Sequence, residues 1–212
     1  MQLYSFFRSG TSHRLRIALN LKGLETQYLP VDLRKEAHFS EEFRKINPQG
    51  FVPALIVGDE VLTQTPAIIE WLEETYPTPA LIPADSKQRI YVRTLAAIIA
   101  CDMHPLSNRR VLERLRKEMG QDEKAINEWC QTWIIDGFNA FESQLSRHAY
   151  YGDFCCGDSP TIADVYLIAQ VETAMRFNVD LSTWPIISKI NQHCLQLPEF
   201  QLAKPSAQPD AS

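Results

Sequence analysis

The stretch Leu3-Tyr4-Ser5-Phe6-Phe7-Arg8-Ser9-Gly10-Thr11-Ser12-His13-Arg14-Leu15-Arg16-Ile17-Ala18-Leu19 decides how the rest of the chain is read. Leu3 to Phe7 is a short apolar run of the kind that forms a buried strand, and Leu15, Ala18 and Leu19 recur at helical spacing. The small and polar residues between them make the stretch a strand, a turn and a helix start. A helix beginning near Thr11 or Ser12 leaves its first backbone N–H groups unpaired and gathers partial positive charge there. These residues leave two readings open: Ser12 or Thr11 as a simple N-cap, or a place where an anion settles.

Outward from this unit, Lys22-Gly23 ends the first helix, with glycine as its C-cap, and Thr26 to Val31 alternates as a strand does. The polar run Arg34 to Phe39 leads to a short helix from Ser40 to about Ile46. Asn47-Pro48-Gln49-Gly50 then breaks the chain. Ala54 to Val57 and Glu60 to Leu62 form a hairpin across Gly58-Asp59, and a helix runs from about Thr65 until Pro77 stops it. A proline-marked polar connection at residues 78 to 86 places a domain boundary there. Beyond it the pattern is helical, over about 87–103, 106–118, 122–147, 161–177 and 184–195. Thr161 with Asp164 three residues on reads as a capping box, which assigns Asp164 to folding. The tail from Lys204 reads as frayed. The order βαβαββα followed by helices predicts a thioredoxin-like α/β N-terminal domain at 1–80, a linker at 81–86 and an all-α C-terminal domain at 87–212.

The chain has 212 residues, enough for a sizeable core, with 45% hydrophobic and 22% charged residues and a formal net charge of −5. That acidic balance argues against nucleic acid or an anionic membrane as partner. No apolar run suggests a membrane span or a signal core, which points to the cytoplasm. The five cysteines, Cys101, Cys130, Cys155, Cys156 and Cys194, show no zinc or redox spacing and read as reduced, mostly structural thiols. Trp71, Trp129, Trp133 and Trp184 fit apolar helix faces and are expected in the core.

With this architecture, several motifs together resemble the cytosolic glutathione transferases, the zeta class in particular. They are Arg8-Ser9 before Arg14-Leu15-Arg16-Ile17-Ala18-Leu19, Asn47-Pro48 with Val52-Pro53, Gln64-Thr65-x-Ala67-Ile68-Ile69-Glu70, and Thr161-x-Ala163-Asp164. The resemblance covers roughly residues 2 to 200. The zeta signature carries S-S-C where this chain has Ser9-Gly10-Thr11. That variant, with Cys101-Asp102-x-His104-Pro105 and Asn108-Arg109-Arg110, is instead similar to the bacterial maleylpyruvate isomerases, a zeta-like group of gentisate breakdown.

The resemblance implies glutathione as cofactor, held by Ser9, Gly10, Thr11, His38, Val52, Gln64, Thr65, Asp102 and His104. Val52, before a cis-proline, would pair its backbone with the cysteinyl part of the tripeptide, and Gln64-Thr65 would receive its γ-glutamyl carboxylate. Asp102 would reach the glutathione amine of a neighbouring subunit in a homodimer. Hydroxyls at a helix N-terminus favour a thiolate, so Ser9 donates to sulfur with Thr11 as helper or sole donor. The implied substrate is a small cis-dicarboxylate, isomerised by thiolate addition, rotation and elimination. Arginine's fork suits carboxylates and developing enolate-like charge. Arg8 and Arg176 are therefore the leading clamps, Arg109 and Arg110 secondary ones, and His104 and Asn108 would line the same pocket; Arg14 and Arg16 read as structural. Three other functions stay open: isomerisation of maleylacetoacetate in tyrosine breakdown, broader glutathione transferase or dehaloacetate-type activity, and a non-catalytic glutathione-fold binding protein. Ser9, Gln64 and Thr65 argue against the last.

Overall fold

The computed structural model describes residues 1–148 and 150–211 and divides them into two compact units. One comprises Met1–Ala80 together with the segment from Leu195 onward, and the other Leu81–Cys194.

The first unit carries a four-stranded sheet in the order β2-β1-β3-β4, built from β1 (Gln2–Ser5), β2 (Gln27–Pro30), β3 (Ala54–Val57) and β4 (Glu60–Thr63). β1 runs parallel to β2, with Leu3 opposite Tyr28, and antiparallel to β3, with Leu3 opposite Leu55. A parallel pair needs a crossover, and α1 (Gly10–Leu21) supplies it. β3 and β4 form the expected hairpin. α2 (Glu41–Ile46) and α3 (Thr65–Thr75) complete the expected βαβαββα order.

Three expectations about this unit need correction. The first helix begins at Gly10 rather than near Thr11 or Ser12, and its N-cap is Ser9. The tail from Lys204 is not frayed: α9 (Pro198–Ala203) packs along α1, and the Asp210 side chain accepts hydrogen bonds from the Phe7 N–H and the Tyr28 hydroxyl. The helical domain was expected to run to the end of the chain, yet residues 195–211 group with the sheet domain, because α1 is buried on all sides from Ser12 to Leu19 and needs a cover for its outer face.

The second unit is built on helices: α4 (Ser86–Ala97), α5 (Arg109–Lys117), α6 (Glu123–His148), α7 (Ile162–Arg176) and α8 (Pro185–Cys194). The sequence pattern runs one helix to residue 103, but the turns loosen to π-helix at Ile98–Met103 and tighten to 3-10 at His104–Ser107. Gly137 on α6 admits this irregular segment, since a Cβ there would lie 2.2 Å from the Met103 side chain. α7 is the central helix, buried from Ile162 to Val171. Its start matches expectation: Asp164 accepts hydrogen bonds from the Thr161 N–H and hydroxyl, each at 2.8 Å, and from the Cys155 N–H at 2.8 Å. Of the four tryptophans expected in the core only Trp184 is buried; Trp71, Trp129 and Trp133 are half-buried. All five cysteines are free thiols, and Cys101 is exposed.

Candidate functional site

The first unit gathers its polar chemistry where α1 begins. A cap residue keeps extended backbone while its side chain turns back on the first turn, and Ser9 does so at φ −71°, ψ 120°, its Oγ accepting the Ser12 N–H at 3.2 Å. The same Oγ lies 2.9 Å from Thr11 Oγ1. Thr11 Oγ1 in turn donates to the Val52 carbonyl at 2.9 Å. A hydroxyl has one proton, so with Thr11 committed to Val52 it is Ser9 that donates in the Ser9–Thr11 contact. Ser9, Gly10 and Thr11 are all half-buried, open to a ligand but shielded from bulk water, while Arg8 before them is exposed.

Val52 precedes a cis peptide bond to Pro53, as the resemblance implied. The loop before it is held by Asn47, which is buried; its Nδ2 donates to the Phe51 carbonyl at 2.8 Å and its Oδ1 accepts the Gln49 N–H at 3.1 Å. Gly50 matters to this packing, because at φ 65° a Cβ would sit 2.9 Å from the His38 carbonyl. His38, which the resemblance implies as a glutathione contact, is buried in the 3-10 turn Ala37–Phe39 with its ring 3.9 Å from that of Phe39.

The third corner is the start of α3. Gln64 holds φ 67°, ψ 101°, a conformation that ordinarily costs a non-glycine residue about 1–3 kcal/mol and gathers at functional sites. Its amide donates to Gln49 Oε1 at 2.6 Å. Thr65, the first helical residue, is buried, with its hydroxyl 3.5 Å from the Thr11 carbonyl. Ser9, Thr11, Val52 and Thr65, with Gln64 beside Thr65 in the chain, are thus joined by hydrogen bonds into one constellation. Gln49 and Asn47 adjoin it too; the sequence showed Asn47 as part of a chain break and of a family motif but assigned neither residue a place in the site.

The donor set suits a thiol peptide. It combines two hydroxyls at the positive end of a helix, the Val52 backbone beside them, and a second helix N-terminus flanked by the strained Gln64. Because the Val52 carbonyl has two lone pairs, the Thr11 bond leaves it one further acceptor site.

The remaining candidates lie in the second unit. Asp102 is exposed within the π-helical turn, and His104 follows it, half-buried. Asn108 is the N-cap of α5, its Oδ1 accepting the Arg110 N–H at 3.2 Å, so part of its polar capacity serves the helix. Arg109 is half-buried and Arg110 exposed, both in the first turn of α5, where the helix dipole disfavours cations. Arg176 is exposed at the last turn of α7 and donates to Thr173 Oγ1 at 3.2 Å. The adjoining Cys130 thiol is pushed up to about 11 by burial, which the nearby Arg116 and Arg176 partly offset.

Residues 8–75 match the family model for the glutathione S-transferase N-terminal domain. Maleylpyruvate isomerase of a Ralstonia species is 57% identical over 212 residues, covering 100% of both chains. A solved structure described as holo maleylpyruvate isomerase, a bacterial zeta-class glutathione S-transferase, superposes with a TM-score of 0.98 at 57% identity over 100% of both chains. A maleylacetoacetate isomerase of Methylobacterium extorquens AM1, solved with bound malonate and glutathione, superposes with a TM-score of 0.96 at 37% identity, again over 100% of both chains. Among the described residues, no helix is long and apolar enough to cross a membrane.

Proposed function

Because the chain belongs to the glutathione S-transferase family, we propose that it is a glutathione-dependent cis–trans isomerase of the zeta-like kind, converting maleylpyruvate to fumarylpyruvate. The observation that carries this is the Ser9–Thr11 hydroxyl pair at the N-terminus of α1 beside Val52, in a chain 57% identical over its full length to a maleylpyruvate isomerase. Bound glutathione supplies the thiolate whose addition to the maleyl double bond, and later departure, permits rotation about that bond.

The chain's own residues do the rest. Ser9 re-aims its hydroxyl proton from Thr11 to the sulfur, and the N–H groups of the first turn add their partial charge, so the thiol loses its proton to solvent water and the thiolate forms without a protein base. Thr11 buttresses this arrangement through Val52. The Val52 backbone pairs with the cysteinyl unit as an added strand would. Gln64 and Thr65 receive the γ-glutamyl carboxylate at the α3 N-terminus, with Gly10, His38 and His104 completing the contacts to the tripeptide. Arg8 and Arg176 take the substrate's carboxylates and the charge developing on its keto oxygen. Arg109, Arg110, Asn108 and His104 line the substrate's surroundings. We further assign the working form to a cytoplasmic homodimer, with Asp102 reaching the glutathione amine of the neighbouring subunit.

Following the isomerisation by absorbance tests the function, with maleylpyruvate and maleylacetoacetate in parallel, each with and without glutathione. Fast glutathione-dependent conversion of maleylpyruvate is expected. A preference for maleylacetoacetate would move the protein to tyrosine breakdown, and no turnover of either would overturn the isomerase reading.

A further inference from the structure

We propose that Asp210, returned to the sheet domain by the segment after α9, is a positioning residue that sets the turn carrying Ser9. The inference rests on the glutathione-site reading above. Its basis is one peptide group. The N–H of the Phe6–Phe7 peptide donates to Asp210 Oδ2 at 3.1 Å, while the carbonyl of that peptide, on Phe6, accepts the Ser9 N–H at 3.0 Å. Peptide groups are planar and stiff, so Asp210 and Ser9 grip opposite ends of one rigid plate. If that plate rotates, the acceptor of the Ser9 N–H moves with it.

The next peptide is held as well. Arg16, buried in α1, donates through Nη2 to the Phe7 carbonyl at 3.1 Å, through Nη1 to Ser5 Oγ at 3.2 Å and through Nε to the Ala203 carbonyl at 3.0 Å. Two successive peptides before Arg8-Ser9 are therefore fixed by a carboxylate and a guanidinium, and both charges depend on residues 198–210. Tyr28 locks the carboxylate, its hydroxyl donating to Asp210 Oδ1 at 2.6 Å. Arg34, ion-paired with Asp32, stacks over Phe7 and Phe6 at 5.5 and 5.7 Å from their ring centres. The groups that face the Asp210 carboxylate are thus Tyr28, Arg16, Arg34 and the Phe7 amide. A charged acceptor also polarises the peptide it holds, strengthening the Phe6 carbonyl as acceptor for Ser9. Displacements of about 1 Å in a catalytic constellation can cost roughly a hundredfold in rate, so a partial loosening here should be visible.

The test compares wild type with Asp210→Ala, Asp210→Glu and Tyr28→Phe. The first readout needs neither glutathione nor turnover: amide hydrogen exchange in the ligand-free protein. Exchange at Phe7 and Ser9 is expected to quicken in Asp210→Ala while the α3 amides keep wild-type rates. The second is the ultraviolet titration of the bound thiol, whose midpoint is expected to rise toward that of free glutathione in Asp210→Ala. Tyr28→Phe, which keeps the ring and the Phe7 bond, should shift it less, and Asp210→Glu should restore part of it. kcat at neutral pH should fall about tenfold in Asp210→Ala, with KM for glutathione within about twofold of wild type. Unchanged exchange at Phe7 and Ser9 would overturn the proposal, as would losses of glutathione affinity, kcat and thermal stability in equal proportion. Wild-type protein that fails to lower the bound thiol's midpoint would instead overturn the glutathione-site reading, and the exchange result would still stand for Asp210.

Discussion

Ser9 Oγ and Thr11 Oγ1 lie 2.9 Å apart, and because Thr11 spends its proton on the Val52 carbonyl at 2.9 Å, the proton between the two hydroxyls belongs to Ser9. The two residues are therefore unequal. Ser9 has a donor that can turn to a sulfur; Thr11 would have to break a bond to the backbone to offer its own.

Ser9→Gly removes the donor while giving up only a few tenths of a kcal/mol of capping, whereas Ser9→Ala gives up about 1 kcal/mol. Both are expected to lower kcat by about a hundredfold, the cost typical of losing one donor to a developing or resident anion. Thr11→Val should lose roughly tenfold or less. Steady-state kinetics and thermal melts on the three variants separate catalysis from capping, and a Thr11→Val enzyme as impaired as Ser9→Gly would reverse the assignment.

Gln64 holds φ 67° with no side-chain cap of its own on α3. A glycine there relieves the backbone but removes the amide bonded to Gln49. Gln64→Gly should accordingly hold or raise Tm while KM for glutathione rises at least severalfold. A fall in Tm alongside the rise in KM would mean that the side chain, and not the site, is what the strained backbone serves.

The contrast between Ser9 and Asp210 shows what could be read from the chain. The strand, turn and helix around Ser9 were legible because they are neighbours in sequence, with small polar residues and apolar spacing reporting on the same few positions, whereas Ser9 as the cap was missed and its role toward a thiol was implied by the family resemblance alone. Even so the helix start was misplaced by one to two residues, since Gly10 gave no local reason to be helical. The hairpin, the α7 capping box and the βαβαββα order are likewise short-range. Asp210 meets Phe7 across 203 residues, and no periodicity encodes such a contact. The composition around it, with Pro205 and Pro209, resembles a loose end. A hint lay in Arg16, one of two arginines on α1 that fall among its apolar positions, whose buried guanidinium had to find acceptors somewhere. The burial of His38 is hidden from the sequence for a similar reason: it depends on Gly50 making room, twelve positions away.

Lys22 closes the first unit from another side. Its side chain is fully buried, with Nζ donating to Glu73 at 2.6 Å, to the Tyr76 carbonyl at 2.7 Å and to the Pro79 carbonyl at 2.6 Å. All three ammonium protons are used, tying the end of α1 to the end of α3 and the chain beyond it. Lys22→Met keeps the volume but leaves Glu73 and two carbonyls without their donor. A loss on the order of 3 kcal/mol is expected, lowering Tm by roughly 6–12 °C. A melt within a degree of wild type would show that water replaces the ammonium.

Asp164 offers a pH signature with an uncommon sign. Burial holds its carboxyl above the ordinary aspartate value of 3.8, and the bonds from Cys155 and Thr161 only partly oppose that. Between 3.8 and the raised native value, the folded protein binds a proton at this site that the unfolded chain does not. Stability from this group is therefore present below the unfolded value and lost as pH rises through the native one. Asp164→Asn removes the titration, and its other ionisable groups cancel in the difference from wild type. The stability gap between the two proteins, measured by urea unfolding across a pH series, should widen on acidification through that window. For a carboxylate held below its ordinary value the gap would narrow instead, so a narrowing gap would place the native titration below 3.8 and make the capping bonds, not burial, the dominant influence on this carboxyl.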